Sequence, residues 1–146
     1  MIASAINRLN YIIDIAPPLL TAIGEEEMSA TSSPGKWSKK QILGHLIDSA
    51  ANNHQRFVRG QFEHIPAIRY DQDKWNAFNF YADIDSQQII SFWTIYNKQL
   101  IEIIKRIPAE NLQRQVTMGE APVTLEFAIT DYVAHLEHHL KQVIEY

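Results

Sequence analysis

Apolar residues recur every three or four positions through four separate stretches of the chain, and no stretch alternates strictly as a strand would. The spacing predicts helices over residues 2–23, 38–62, 85–107 and 124–146. Ser38 and Gln41 have the spacing of a capping box, and Asp85 and Thr124 are predicted N-caps. Four amphipathic helices with connections of unequal length predict an all-α four-helix bundle, formed by a single domain over residues 1–146.

Several segments between or within these helices have compositions that predict a break, a loop or a turn. Pro17-Pro18 is predicted to kink or restart the first helix, because proline removes a backbone donor. Residues 29–35 are rich in Ser, Thr, Pro and Gly and are predicted to form a loop. Residues 67–83 carry five aromatic side chains, more than a polar linker would, so we expect a lid or wall. Residues 109–123 are predicted to form a short irregular hairpin.

Composition and charge narrow the function classes. With 13 basic and 17 acidic residues, the net charge of −4 argues against a nucleic-acid partner. The absence of cysteine excludes disulfides, thiolate metal ligands and cysteine nucleophiles. No apolar run approaches the roughly 18 residues of a membrane span, and the first residues lack a signal-peptide pattern. We therefore expect a cytoplasmic protein with no membrane partner.

Three histidines form the most informative pattern in the chain. His135 and His139 are four residues apart on the last helix, which places both imidazoles on one face. His45 lies on the second helix, about ninety positions upstream. If the two helix faces meet, three neutral nitrogens can hold one metal ion and leave open positions, as catalytic sites do. The helical rotation places His138 in solvent.

A row of polar residues accompanies His45 along one flank of the second helix. Ser49, Asn52 and Arg56 lie beside the apolar stripe, where polar groups must find protein partners or a ligand. Gln142 lies on the same flank of the last helix as the histidine pair. We expect these four side chains to line a substrate pocket. Arg56 would hold an anionic group of a substrate or thiol, and Asn52 and Gln142 would orient it.

Two carboxylates are predicted to support the metal ligands. Asp48 and Asp131 are each about one helical turn from a histidine of the predicted site. Either could accept the second N–H of a ligating imidazole and thereby fix its tautomer, and Asp131 is the favoured candidate. His54 and His64 are expected to be surface or hydrogen-bonded residues without a metal role.

Four segments taken in order resemble a known family. PGKWS at 34–38, GHLIDS at 44–49, IRYDQDKW at 68–75 and the closing HLEHH at 135–139 resemble the DinB-like superfamily. More narrowly, they are similar to its YfiT-type branch of metal-dependent hydrolases. The resemblance implies a four-helix bundle that binds one divalent ion, most often nickel or zinc, through His45, His135 and His139. It also implies a homodimer.

The same superfamily includes S-transferases that use low-molecular-weight thiols such as bacillithiol. A bound divalent ion can lower the pKa of water toward about 7, or it can hold a thiol as thiolate. The sequence therefore leaves open a metal-dependent hydrolase and a thiol S-transferase, each acting on a small-molecule substrate. The alternative is a non-catalytic bundle that binds a metal or small ligand.

Overall fold

The computed structural model describes residues 1–146. Its helices are α1 (Ile2–Thr21), α2 (Glu25–Ser29), α3 (Lys39–Arg59), α4 (Gln72–Phe78), α5 (Ser86–Ile104) and α6 (Leu125–Leu140). Two strands, β1 (Gln115–Thr117) and β2 (Pro122–Thr124), and two 3₁₀ turns, Tyr81–Asp83 and Ala109–Gln113, complete the fold. None of the helices combines the length and the apolar character that crossing a bilayer requires.

The four long helices form the predicted bundle. Helix α3 packs against α5 and α6, and α1 packs against the same two helices, so α1 and α3 occupy opposite corners. Each helix turns its apolar stripe to the centre, where burial removes the side chains from water. The largest fully buried side chains are Leu9, Ile12, Leu20, Met28, Leu43, Leu46, Phe57, Trp93, Leu100, Leu125, Ile129 and Tyr132.

The predicted helix starts are confirmed by their capping contacts. Ser38 Oγ accepts from the Gln41 amide at 3.3 Å, and Gln41 Oε1 accepts from the Ser38 amide at 2.8 Å, which completes a capping box. The side chains of Asp85 and Thr124 each accept from a backbone amide in the first turn of the following helix. These contacts satisfy amide groups that have no partner inside the helix.

The structure corrects two predicted helix features. Helix α1 continues through Pro17 and Pro18 to Thr21, so the predicted restart is absent, while the kink stays a prediction. Buried side chains on both sides of the prolines hold the helix against the core. Helix α6 ends at Leu140, six residues before the predicted end. The chain turns there and buries Val143 and Ile144, which a continued helix would have to present at other angles.

Between α5 and α6 the chain forms the predicted hairpin. Strands β1 and β2 pair antiparallel, with Val116 opposite Val123. Thr117 also exchanges backbone hydrogen bonds with the segment before α4: its carbonyl accepts from Ile68 and its amide donates to Pro66. The hairpin thus fixes the point where the 67–83 connection leaves α3.

The aromatic connection packs along α3 as a wall of the bundle. Asn76 Nδ2 donates to the Gln41 carbonyl at 2.8 Å. Tyr81 Oη and Asn79 Nδ2 both donate to Asp48 Oδ1, at 2.6 and 2.9 Å. These contacts confirm that the segment is not a free linker, since three of its polar side chains are bonded to α3. Two of its five aromatic side chains, Phe78 and Phe80, are nevertheless exposed.

Gly44 permits a close approach between this wall and α3. A Cβ at this position would overlap the Tyr81 ring, which is buried and fixed by its hydrogen bond to Asp48. Any larger residue therefore has to displace the ring.

We expect Gly44→Ala to lower the free energy of unfolding by about 2 kcal/mol. Alanine gains about 1 kcal/mol in helix propensity. The overlap costs about 3 kcal/mol, at the upper end of ordinary overpacking. Urea unfolding measures the difference. Gly119→Ala is the matched control, because a Cβ there meets nothing within 4 Å. Equal stability of the two variants would show that the Tyr81 ring moves at little cost.

Candidate metal centre

Three imidazoles from two helices meet at one point of the bundle. Nε2 of His45 on α3 lies 3.2 Å from Nε2 of His135 on α6. The His139 ring centroid lies 4.7 Å from that of His45 and 4.6 Å from that of His135. One ring nitrogen from each histidine lies within 4.8 Å of the other two. The predicted convergence of residues 45, 135 and 139 is therefore present.

This geometry follows from helix spacing and from the packing of α3 against α6. The four-residue separation puts His135 and His139 on one face of α6. His45 is fully buried and faces that pair across the helix contact. His138 is exposed and stays outside the cluster, although its ring lies 5.1 Å from that of His139.

The cluster fits a divalent ion by its donor set and spacing. Imidazole nitrogens bind such ions at about 2.0–2.1 Å, so two ligands of one ion lie roughly 3 Å apart. The 3.2 Å separation of the His45 and His135 nitrogens matches this spacing. Three nitrogen donors suit zinc, nickel and related ions. The assignment of the three residues as ligands stays a prediction.

The protonation of the cluster favours metal binding as well. Burial, and then the neighbouring His135 and His139, lower the pKa of His45 to about 4. Burial and then His139 lower the pKa of His135 to about 4, and burial also lowers that of His139. All three imidazoles are therefore neutral near pH 7, and the neutral form is the one that offers a lone pair to an ion.

Gln142 supports one imidazole of the cluster. Its Oε1 lies 3.3 Å from Nδ1 of His139. In the tautomer that leaves Nε2 free, Nδ1–H donates to this oxygen. The sequence predicted that Gln142 orients substrate, whereas the structure shows it in contact with His139. The Nδ1 atoms of His45 and His135 are buried without a hydrogen-bond partner.

The predicted support by Asp131 is wrong. Nδ1 of His135 has no partner, and Asp131 is exposed. Residues four apart on a helix are offset by about 40° of rotation. Asp131 therefore lies on the same side of α6 as His135 but at its exposed edge, whereas His135 is half-buried.

Asp48 does not support His45 either. It is fully buried, and its Oδ1 accepts from Tyr81 and Asn79 of the wall, while its Oδ2 has no partner. Burial raises the pKa of Asp48 to about 6. The carboxylate therefore holds the 67–83 connection, and Nδ1 of His45 stays without an acceptor.

Arg56 serves as an anchor for the same connection. Its Nε and Nη2 donate to the Ile68 carbonyl at 3.2 and 2.7 Å, and its Nη1 donates to Asn53 Oδ1 at 3.2 Å. The residue is only 7% exposed. This arrangement directs the guanidinium to the protein backbone, whereas the sequence predicted an anionic ligand for it.

The rest of the polar row finds partners within α3. Asn52 Nδ2 donates to the Asp48 carbonyl at 2.9 Å. Asn53 Nδ2 donates to the Ser49 carbonyl at 2.8 Å and lies 3.3 Å from the Ser49 hydroxyl oxygen. Asparagine and serine commonly satisfy themselves on the preceding helical turn. Substrate contacts of Ser49 and Asn52 stay predictions.

The two remaining histidines behave as expected. His64 is exposed. His54 is half-buried, with its Nδ1 2.9 Å from the Tyr96 hydroxyl oxygen.

A cavity of about 360 Å³ adjoins the centre and was not predicted. Its lining residues are Ser32, Lys36, Trp37, Ile42 and Gln142. The Trp37 ring lies 5.0 Å from that of His45. The sequence did contain a signal for the contact between two of these lining residues. Trp37 precedes the N-cap Ser38 and Ile42 is the fourth helical residue, and these are the two positions of a hydrophobic staple.

Fold and site together define an all-α bundle protein with a three-histidine candidate metal centre. The family model of the DinB superfamily matches residues 12–143. The chain belongs to the DinB superfamily, as its sequence motifs indicated.

Two relatives share most of the chain. YfiT of Bacillus subtilis is 24% identical over 124 residues, which are 83% of this chain and 70% of that protein. A protein of Oceanobacillus iheyensis is 24% identical over 126 residues, which are 85% of this chain and 72% of that one. Each is described as a probable metal-dependent hydrolase.

Solved structures show the same fold. YfiT superposes with a TM-score of 0.87 at 21% identity, over 97% of this chain and 83% of that one. It is described as having an unusual four-helix bundle topology. A DinB-like protein of Bacillus subtilis superposes with a TM-score of 0.67 at 14% identity, over 96% of this chain and 86% of that one.

We expect Arg56→Met to lower the free energy of unfolding by about 2–3 kcal/mol, because hydrogen bonds from a charged donor are lost at a buried carbonyl. The 67–83 connection should also become sensitive to limited proteolysis. Urea unfolding and timed protease digestion measure both effects. Arg69→Met is the control, since Arg69 is exposed and donates to the Gly119 carbonyl at the surface. A stable, protease-resistant Arg56→Met protein would contradict the anchoring role.

Proposed function

We propose that this protein is a metal-dependent hydrolase that holds one divalent ion at His45, His135 and His139. The observation that carries the proposal is the convergence of three neutral imidazoles from α3 and α6. The descriptions of the relatives as metal-dependent hydrolases support the same class of activity. Zinc and nickel are the ions we favour, since a site made only of imidazoles suits both.

A catalytic ion fits this bundle better than a structural one. The core already buries a continuous set of apolar side chains from all four long helices, so we expect the fold to persist without the ion. Structural zinc sites use four protein ligands, whereas three leave a position open. His135 and His139 are half-buried rather than enclosed, which gives solvent and substrate access to the cluster.

The protein's own residues prepare this centre. A bound divalent ion supplies Lewis-acid chemistry for hydrolysis. Gln142 holds the proton of His139 on Nδ1 and so leaves Nε2 as the free donor. Full burial and the adjacent Trp37 ring fix the orientation of His45. The wall of residues 67–83 closes one side of α3 through Asp48 and Arg56.

We expect protein purified without a histidine tag to bind about one zinc or nickel ion per chain. His45→Ala and His139→Ala should each lose most of this ion, because two nitrogens bind far more weakly than three. Elemental analysis and titration with a chromophoric chelator measure the content.

His138→Ala is the matched control, since its exposed ring lies beside the cluster without belonging to it. Loss of the ion from the His138 variant to the same extent as from the His139 variant would overturn the ligand assignment.

We expect the metal-loaded protein to hydrolyse aryl esters or amides, with activity removed by a chelator and restored by the ion. His45→Ala should be inactive and His138→Ala active. The same screen includes low-molecular-weight thiols with an electrophile. Thiol transfer without hydrolysis would replace the proposal by an S-transferase. If the protein shows neither activity and unfolds when the ion is removed, the result would favour a non-catalytic binding module.

A further inference from the structure

We propose that the cavity lined by Ser32, Lys36, Trp37, Ile42 and Gln142 binds the non-reacting part of the substrate, and that it selects small molecules with an apolar body and an anionic group. We call it the Trp37 cavity. The role of the Trp37 cavity in substrate selection rests on the metal-dependent function proposed above. Its affinity for such molecules does not depend on that function.

The Trp37 cavity lies directly beside the histidine cluster. Two of its five lining residues contact that cluster: the Trp37 ring is 5.0 Å from that of His45, and Gln142 Oε1 is 3.3 Å from Nδ1 of His139. Its volume of about 360 Å³ suits a small molecule. The cavity and the cluster therefore share two contacts, which places a bound compound beside the centre.

The lining combines an apolar surface with one uncompensated cation. Trp37 and Ile42 supply the apolar part. The cation is Lys36, whose side chain makes no hydrogen bond or ion pair, and no carboxylate lines the cavity.

The next lysines along the chain are paired. Lys39 Nζ lies 3.0 Å from a Glu27 oxygen, and Lys40 Nζ lies 2.8 Å from a Glu25 oxygen. Lys36 is thus the lysine of this region that has no carboxylate partner in the protein and can pair with an anionic ligand.

The backbone fixes the points from which the Lys36 and Trp37 side chains extend. Gly35 has φ of +79°, and the Lys36 amide donates to the Ser33 carbonyl at 3.2 Å. With Pro34 in the second position, this is the residue pattern of a type II turn. Trp37 follows at once and leads into the capping box at Ser38. The backbone between the tight turn and the helix cap is thus already ordered, and the exposed Lys36 side chain is the part that a ligand has to order.

The test uses two probes of similar shape, anionic benzenesulfonate and neutral methyl phenyl sulfone. Binding is followed by quenching of tryptophan fluorescence, with Trp37→Phe titrated in parallel to identify the Trp37 signal. Titrations are made on the metal-loaded and on the metal-free protein. We expect both probes to quench Trp37, with benzenesulfonate binding about fivefold more tightly, which is the upper end of what one exposed charge pair provides.

Lys36→Gln should remove the preference for benzenesulfonate, whereas Lys74→Gln should retain it, because Lys74 lines a separate cavity on α4. Thermal unfolding of both variants checks that the fold is intact. Absence of Trp37 quenching, equal affinity for the two probes, or a preference that survives Lys36→Gln would each overturn the inference.

The metal-free arm separates the two proposals. A Lys36-dependent preference in a protein that binds no ion and hydrolyses nothing would support the anion-selective cavity and contradict the proposed hydrolase. Metal-dependent hydrolysis without this preference would support the hydrolase and reject the cavity's selectivity.

Discussion

The contact between α3 and α6 is the constraint on which the candidate centre depends. Each helix alone offers nitrogen donors on one face, and neither offers three. Their packing brings Nε2 of His45 to 3.2 Å from that of His135 and removes His45 fully, and His135 partly, from water. The same burial that lowers the pKa of each imidazole also keeps it neutral and available. The contact between α3 and α6 therefore both groups the imidazoles and keeps them neutral.

The polar residues of α3 show how a fold can use groups that resemble a binding site. Arg56 and Asp48 hold the 67–83 connection by contacts to the Ile68 carbonyl and to Tyr81. Buried polar groups without partners are costly, so a long connection laid over α3 is stabilised by every such contact. These polar contacts hold the 67–83 connection on α3 in addition to any packing of its aromatic side chains. The contacts that hold it come from Arg56, which the sequence predicted to bind an anion, and from Asp48, which the sequence predicted to support a metal ligand.

Helical periodicity was sufficient to predict the bundle, the capping residues and the shared face of His135 and His139, because these depend on local geometry. It also separated His138 from the pair, since 100° of rotation decides which ring faces inward. The roles of Asp131 and Arg56 could not be predicted in the same way. They depend on which side chains of distant segments arrive at α3 and α6, and spacing along one helix does not contain that information. The Trp37 cavity was missed because three residues before α3 create it together with Ile42 of α3 and with Gln142, which follows the end of α6.

The long separation of His45 from its two partners has a consequence for biosynthesis. During translation α3 leaves the ribosome well before α6, and until α6 docks, His45 is a single imidazole with little hold on any ion. Under the proposed ligand assignment, ion capture is then a late event that reports on completed assembly instead of nucleating it. A cell supplied with scarce ions would thus load only chains that have already reached their final tertiary arrangement.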